Sequence, residues 1–421
     1  MAPQSHDTPR LISGRLRTAL FRESLALVER GIATPRAVDT IVSTTVGRRL
    51  AVAGPFEIWE QIGWDLVQVI ASELLQDISN TVEIPPSLPT LLNHTDGAPP
   101  SPVLEHGADP AGPIDQVAVI GAGLMGHGIA LEFAASGRSV CLHDLSPTLL
   151  ADGLIRAEVG LRALARTGRI SDADISGAVG RIRTTSTLAE CVRAADLVIE
   201  AASENLELKQ TIFAQLDACA PAHAILASNT STFLPSAYAA STTRPGQVIG
   251  THYYNPPHLL PGVEIIRSPT TTDRTAATVA ALLESIGKQP AVLNREIQGF
   301  IGNRLQVALL REAMSVVEQD LATASEVDAL VRTTFGQGLA GAGPFELARR
   351  DGLGATRAML EEHLPQLAKS RSAPALLRQK VESGELGVKV GRGFYDWTPE
   401  SAEAWRAHMA DSLLEMTTPQ R

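Results

Sequence analysis

Residues 11–64 and 300–353 of this 421-residue chain align without a gap at an offset of 289, and 25 of the 54 paired positions are identical. Arg15-Leu16 returns as Arg304-Leu305, Arg22-Glu23 as Arg311-Glu312, and Gly54-Pro55-Phe56-Glu57 as Gly343-Pro344-Phe345-Glu346. Identity of that order over one unbroken span marks a duplicated segment rather than shared composition. The duplication constrains the fold strongly. Whatever buries the apolar face of one copy must suit the other, although more than two hundred residues separate them. Among the positions that differ, the polar Asn303 of the second copy is Gly14 in the first. The second copy therefore reads as working and the first as structural.

Both copies have helical spacing. Leu16, Leu20 and Leu27-Val28 recur on one face with charges between them, and Thr34-Pro35 gives a cap followed by proline in the first turn of another helix. Gly54-Pro55 is a break, 56–80 reads as further helix, and the copy fades near Leu92. Residues 93–114, rich in Pro, Gly and Asp, read as a linker. From Gln116 the pattern changes to short Val/Ile-rich runs (VAVIG, SVCLHD, ADLVIEA, AILASN, QVIGTHYY) alternating with helical stretches. That alternation predicts an α/β, Rossmann-type, mostly parallel sheet with helices on both faces. The implied organisation is a truncated helical copy over 1–92, the linker, a nucleotide-binding domain over 115–296, the full helical domain over 297–400 and a tail over 401–421.

Composition narrows the class. With 44% apolar residues the chain can bury proper cores, and no apolar run reaches membrane-span length. Three widely spaced cysteines give neither a disulfide framework nor a zinc site, and no metal is expected. Met1 to Arg10 lacks the apolar core of a signal peptide, so a cytoplasmic setting is expected. A net charge of −10 argues against nucleic acid as a partner.

The Val117–Ile120 strand runs directly into Gly121-Ala122-Gly123-Leu124-Met125-Gly126. In such a loop the first glycine permits the tight turn, the second lets a pyrophosphate approach the backbone, and the third lets helix and strand pack closely. The next strand ends in Asp144, placed to receive a ribose hydroxyl pair. A carboxylate there repels a 2′-phosphate, so NAD is expected over NADP. Arg138, just before that strand, reads as a solvated turn residue.

A second constellation follows the QVIGTHYY run: His252-Tyr253-Tyr254-Asn255-Pro256, then Glu264 twelve residues after the histidine. Ser228-Asn229-Thr230-Ser231 lies upstream, and Gly299-Phe300-Ile301-Gly302-Asn303-Arg304 downstream. Gly343-Pro344-Phe345-Glu346 and Gly387-x-Lys389-x-Gly-x-Gly-Phe394-Tyr395 complete an ordered set. Over roughly 115–397 this resembles the 3-hydroxyacyl-CoA dehydrogenase family. The chemistry suits these residue types. Oxidising a secondary alcohol removes a hydride from carbon and a proton from oxygen. A histidine can take that proton, and a carboxylate behind it offsets the imidazolium charge and fixes the tautomer.

The resemblance implies an NAD-dependent oxidoreductase interconverting L-3-hydroxyacyl and 3-oxoacyl thioesters in lipid metabolism. His252 would be general base, Glu264 its orienter, and Ser231 and Asn303 hydrogen-bond donors to substrate oxygens. Asn255 would help hold the dyad and the nicotinamide pocket, while Ala201, Glu204 and Lys209 would contact the cofactor. His258 reads as structural. The carrier stays open between CoA, a carrier protein and a free hydroxy acid, and a non-catalytic NAD-binding structural protein is the rival from another class. Arg162, Arg166 and Arg169 share a helical face where the family meets the CoA tail, although a solvated face is the plainer reading. The chain departs from the family pattern at Gly262, and at Arg349 and Gly354, where the family carries acids that the first copy keeps as Glu60 and Asp65. The first copy has no nucleotide-binding segment before it and no Gly-Phe-Tyr tail. It would pack on the second as a dimer partner does, with a domain-swapped dimer, an ordinary homodimer or an interaction module for another protein as alternatives.

Overall fold

A computed structural model describes residues 8–86, 88–93, 113–351 and 353–417. Nearly all of the expected linker, 94–112, lies outside them. The chain forms two compact units, one within residues 1–98 and 301–413, the other within 99–300 together with 414 onward. The two helical copies thus form one unit and not two flanking domains, because the apolar face of each is buried on the other.

The first unit is built around two long helices, Thr8–Glu29 and Gly302–Glu318, which pack along each other. Arg15 Nε donates to Glu312 Oε1 at 2.6 Å, and Arg304 Nε donates to Glu23 Oε1 at 2.7 Å. At the offset of 289 these are one ion pair with the copies exchanged. The same exchange recurs at the helix starts. Asp328 accepts from Phe56 N and Glu57 N at 2.9 Å each, and Asp39 accepts from Phe345 N and Glu346 N at 2.8 and 3.0 Å. Each carboxylate therefore caps the first turn of a helix in the other copy, satisfying N–H groups that helices leave open.

The duplicated glycines follow from this packing. A Cβ on Gly54 would lie 2.2 Å from Asp328 Cα, and one on Gly343 would lie 2.1 Å from Asp39 Cα. Gly47 and Gly336 are pressed in the same reciprocal way on the carbonyls of Leu339 and Leu50. Contacts repeated with roles exchanged are the mark of an isologous interface, here within one chain.

The copies also divide the work. Glu60, fully buried, accepts from Trp64 Nε1 at 2.8 Å, from Phe394 N, and from Trp397 Nε1 at 3.2 Å. Asp65 pairs with Lys389. The acids of the first copy thus receive the Gly-Phe-Tyr tail of the second. The first copy has no such tail, so nothing requires acids at 349 and 354. The segment expected as a tail from 401 is helical: Pro399–Thr417 is one helix, begun by mutual capping of Thr398 and Ser401.

The second unit is an eight-stranded sheet: β1 (Gln116–Ile120), β2 (Ser139–His143), β3 (Ile182–Thr185), β4 (Leu197–Glu200), β5 (Ile225–Ser228), β6 (Val248–Tyr253), β7 (Gly262–Ile266) and β8 (Gln289–Leu293). Their order is β3-β2-β1-β4-β5-β6-β7-β8, parallel throughout except for the antiparallel β6–β7 pair. The chain runs outward from β1 through β2 to β3, then returns to place β4 on β1's other side. Ligands of such sheets bind beyond the carboxyl ends of the strands at that reversal. QVIGTHYY was expected as the last strand; β7 and β8 extend the sheet past it. Gly262 opens β7 in regular register with Gln289.

Candidate functional site

The glycine loop lies at the reversal point. Gly121, at φ 105°, turns the chain where a Cβ would come 2.6 Å from Ala201 O, and a Cβ on Gly126 would meet Gly121 O at 1.7 Å. A Cβ on Gly123 would meet nothing within 4 Å. The loop is therefore tight against the protein at its two ends and open at its middle, before the Gly126–Ala135 helix N-terminus, as a pyrophosphate cradle must be. Met125 is the N-cap residue of that helix, and Leu124 is exposed. Asp144 accepts from Ala122 N and Ser146 N, both at 2.9 Å. It is half-buried at the end of β2, beside the loop. These residues fit a dinucleotide.

Ala201 follows β4, its N–H donating to Ile120 O at 2.7 Å. The Lys209 ammonium is buried, 2.9 Å from Glu200 Oε1 and 3.1 Å from Glu204 Oε2. Glu204 accepts from Thr230 Oγ1 at 2.6 Å and from Ser231 N and Thr232 N at 3.0 Å each. Burial would raise the Glu204 carboxyl, but Lys209 and these donors outweigh it and hold the group below the usual carboxylate range. In this structure, then, Glu204 and Lys209 build the 228–232 loop that carries Ser231. Glu200, fully buried and accepting from Ser228 Oγ at 2.5 Å, is the centre of that network. Sequence reading missed it because it looked like the last residue of an ordinary strand.

His252 and Glu264 stand directly opposite each other across β6 and β7. Paired positions on adjacent strands hold their side chains on one face. His252 Nδ1 lies 2.5 Å from Glu264 Oε2, with the carboxylate side chain fully buried and the imidazole 7% exposed. Tyr254 Oη donates to the same oxygen at 2.8 Å, and the rings of Tyr254 and Phe300 flank the imidazole at 4.8 and 5.5 Å between centroids. A histidine donating from Nδ1 to a carboxylate carries its lone pair on Nε2, the state that can accept a proton.

Asn255 lies outside the strand pair that carries this dyad. It is exposed on the loop after β6 and makes no hydrogen bond to either member. Tyr254 bonds Glu264 directly, and Asn229 Oδ1 accepts from Tyr253 N, next to His252 in β6, at 2.9 Å. Alternation along β6 accounts for this, since Asn255 lies beyond the strand end. Asn303 opens the Gly302–Glu318 helix, in the helical unit.

A further group escaped the sequence reading. The buried Lys288 ammonium pairs with Glu132 Oε2 at 2.8 Å and donates to Pro257 O at 2.5 Å and Leu260 O at 3.3 Å. Those carbonyls belong to the loop joining the two dyad strands. Arg169 donates to His258 O at 2.9 Å, so it also serves this loop, while Arg162 forms an exposed pair with Glu158. The alignment of Lys288 was not visible because a lysine after Ile286-Gly287 reads as a solvated turn. Among the described residues no three metal-ligating side chains converge, and no helix is long and apolar enough to cross a membrane.

Comparison with known proteins adds two family models. "3-hydroxyacyl-CoA dehydrogenase, NAD binding domain" matches residues 116–297. "3-hydroxyacyl-CoA dehydrogenase, C-terminal domain" matches twice, at 12–96 and 299–397. The chain is 37% identical over 290 residues to a probable 3-hydroxybutyryl-CoA dehydrogenase of Bacillus subtilis, covering 69% of this chain and 99% of that protein. A solved structure of 5-formyl-3-hydroxy-2-methylpyridine 4-carboxylic acid 5-dehydrogenase, described as an NAD+-dependent dismutase, superposes with a TM-score of 0.68 at 31% identity, covering 72% of this chain and 97% of that one. The (S)-3-hydroxybutyryl-CoA dehydrogenase PaaH1 of Ralstonia eutropha gives 0.56 at 34% identity, covering 68% and 100%.

Proposed function

Because this chain belongs to the 3-hydroxyacyl-CoA dehydrogenase family and is an NAD-dependent oxidoreductase, we propose that it interconverts L-3-hydroxyacyl and 3-oxoacyl thioesters through the His252–Glu264 dyad. Bound NAD supplies the hydride acceptor. In the oxidative direction the C3 hydroxyl proton goes to His252 Nε2 as the C3 hydride leaves, and the C–O single bond becomes a carbonyl. Glu264 stays ionised behind the ring, offsetting the imidazolium charge and keeping the accepting nitrogen on the substrate side. Ser231 and Asn303 hydrogen-bond the substrate oxygens. Gly121 to Gly126 take the pyrophosphate and Asp144 the adenosine ribose, which disfavours a 2′-phosphate.

The observation that carries this reading is the buried 2.5 Å contact between residues paired across β6 and β7. A fully buried carboxylate against an aromatic-flanked histidine supports a general base with a fixed counter-charge rather than a surface contact.

A second reading has its own support, since the dismutase relative is named for a free pyridine carboxylate and not a thioester. The test is oxidation of NADH with acetoacetyl-CoA, a carrier-protein 3-oxoacyl thioester and free 3-oxo and aromatic aldehyde acids, each repeated with NADPH. The account expects turnover with a thioester and a preference for NADH of at least about tenfold. Turnover confined to free acids transfers the activity to the second reading.

The reciprocal contacts of the two helical copies support a further part of this proposal. The first copy stands in for a partner subunit, so that one chain carries one complete catalytic centre.

A further inference from the structure

A cavity of about 710 Å³ lies inside the helical unit between the first helix of copy one and helices of copy two. Its walls are apolar: Leu20, Phe21, Phe335, Leu339 and Leu347 are buried, and Met359 is half-buried. Arg17 and Asp351, an exposed ion pair at 2.9 Å, also line it. The volume falls in the range of small-molecule pockets, roughly 300–1,000 Å³.

Its position within the duplication is informative. Ser13, Gly14 and Arg17, which line it, correspond to Gly302, Asn303 and Gln306 of the second copy. The cavity therefore opens onto the turn of copy one that matches the Asn303 turn of copy two. Gly14 has no side chain, but the space is filled. A Cβ there would lie 2.2 Å from His363 Nε2, so the buried imidazole occupies the place that the Asn303 side chain takes on its own helix. A polar group has been lost from one position and supplied from another element at the same spot. Thr356, also buried, lines the same cavity.

We propose that this cavity is a second, non-catalytic acyl-binding site, taking the chain of a fatty acid or fatty acyl thioester with His363 at its carbonyl or carboxylate oxygen. The assignment of ligand class rests on Asn303 as a substrate contact. The cavity is lined by no residue of the glycine loop and by neither His252 nor Glu264, so the site binds and does no redox chemistry. Arg17 is free to share an anionic head group at the mouth, because an exposed ion pair such as Arg17–Asp351 is weak. Along the Leu20, Phe21, Phe335, Leu339 and Leu347 walls water has few polar partners, so a hydrocarbon chain displaces it favourably there.

Calorimetric titration of the full-length protein with dodecanoate and with dodecanoyl-CoA, each with and without excess acetoacetyl-CoA and NAD, tests this. One saturable site that acetoacetyl-CoA does not displace is expected, with the two arms separating free acid from thioester. Ala355→Trp and Ala358→Trp, at exposed lining positions, should weaken it by at least about tenfold while turnover stays unchanged. Thr334→Trp, on another exposed part of the lining, plugs the cavity independently should either helix variant misfold. His363→Gln should retain more affinity than His363→Leu. The absence of a non-displaceable site in the wild type, or a site indifferent to all three tryptophans, overturns the proposal. Lack of turnover in the wild type would count against the proposed reaction instead, leaving the binding result to stand on its own.

Discussion

At the scale of single residues, the account depends on where one proton goes. With Nδ1 of His252 held by Glu264 and the carboxylate also bonded to Tyr254, the imidazole has one free nitrogen for chemistry. His252→Ala should lower kcat by several orders of magnitude with little change in NADH affinity, and Glu264→Gln should lose much of the activity by removing the counter-charge. Steady-state kinetics with cofactor titration check both, and near wild-type turnover in either variant removes the dyad from the mechanism. His258, six positions after His252 on the loop that follows β6, behaves differently. Burial, with Lys288 next, pushes its imidazole down to about 3 from an ordinary 6.5. Between those values the unfolded chain binds a proton that the folded chain does not. Folding stability should therefore fall as pH drops from about 6.5 to about 3, by up to about 1.4 kcal/mol per pH unit. Denaturant titrations across that window should show a shallower slope in His258→Gln; an unchanged slope would assign the loss to other groups.

At the scale of elements, the β6–loop–β7 hairpin is held from below by Lys288. Lys288→Met, paired with Glu132→Gln so that no carboxylate is stranded, should cut kcat by about 10- to 100-fold through loss of alignment. The KM for NADH should stay near wild type, and Lys288→Arg should recover part of the rate. Equal losses in kcat and cofactor affinity would point to general unfolding. The copy–copy contacts make their own prediction. Arg15→Met leaves Glu312 buried without its partner and should cost about 3–5 kcal/mol, whereas Arg15→Met with Glu312→Leu should cost less. Chemical unfolding of the pair decides, and equal costs would show that the ion pair is incidental.

Legibility followed the same physics. The long amphipathic helices, the glycine loop and five strands are visible because period and turn chemistry are local. β3, β7 and β8 are not, since IRTT is half-exposed, GVEII holds a glutamate, and QPAVL holds a proline. The pairing of His252 with Glu264 was expected from the resemblance, but the groups packed around it were not. Tyr254, Asn229, Glu200 and Lys288 act through contacts made only on folding. Arg138 was misread likewise: it donates to Ile114 O, Ser136 Oγ and Ser285 Oγ, tying three segments together.

At the scale of the whole molecule, the duplication becomes a division of labour. Copy two keeps Asn303 and the tail; copy one keeps the acids that receive that tail, and Gly14 makes room for His363. Removing residues 1–92 would strip Glu23 from Arg304 and Arg15 from Glu312 and uncover the apolar face of the Gly302–Glu318 helix. The truncated chain should aggregate or pair with itself through 297–397. The most direct test of the central claim, that one chain is a complete dehydrogenase with its partner built in, is sedimentation of the full-length enzyme during turnover, followed at the NADH band with acetoacetyl-CoA present. The account predicts that activity travels at the mass of a single chain. Activity found only at the mass of two chains would contradict it.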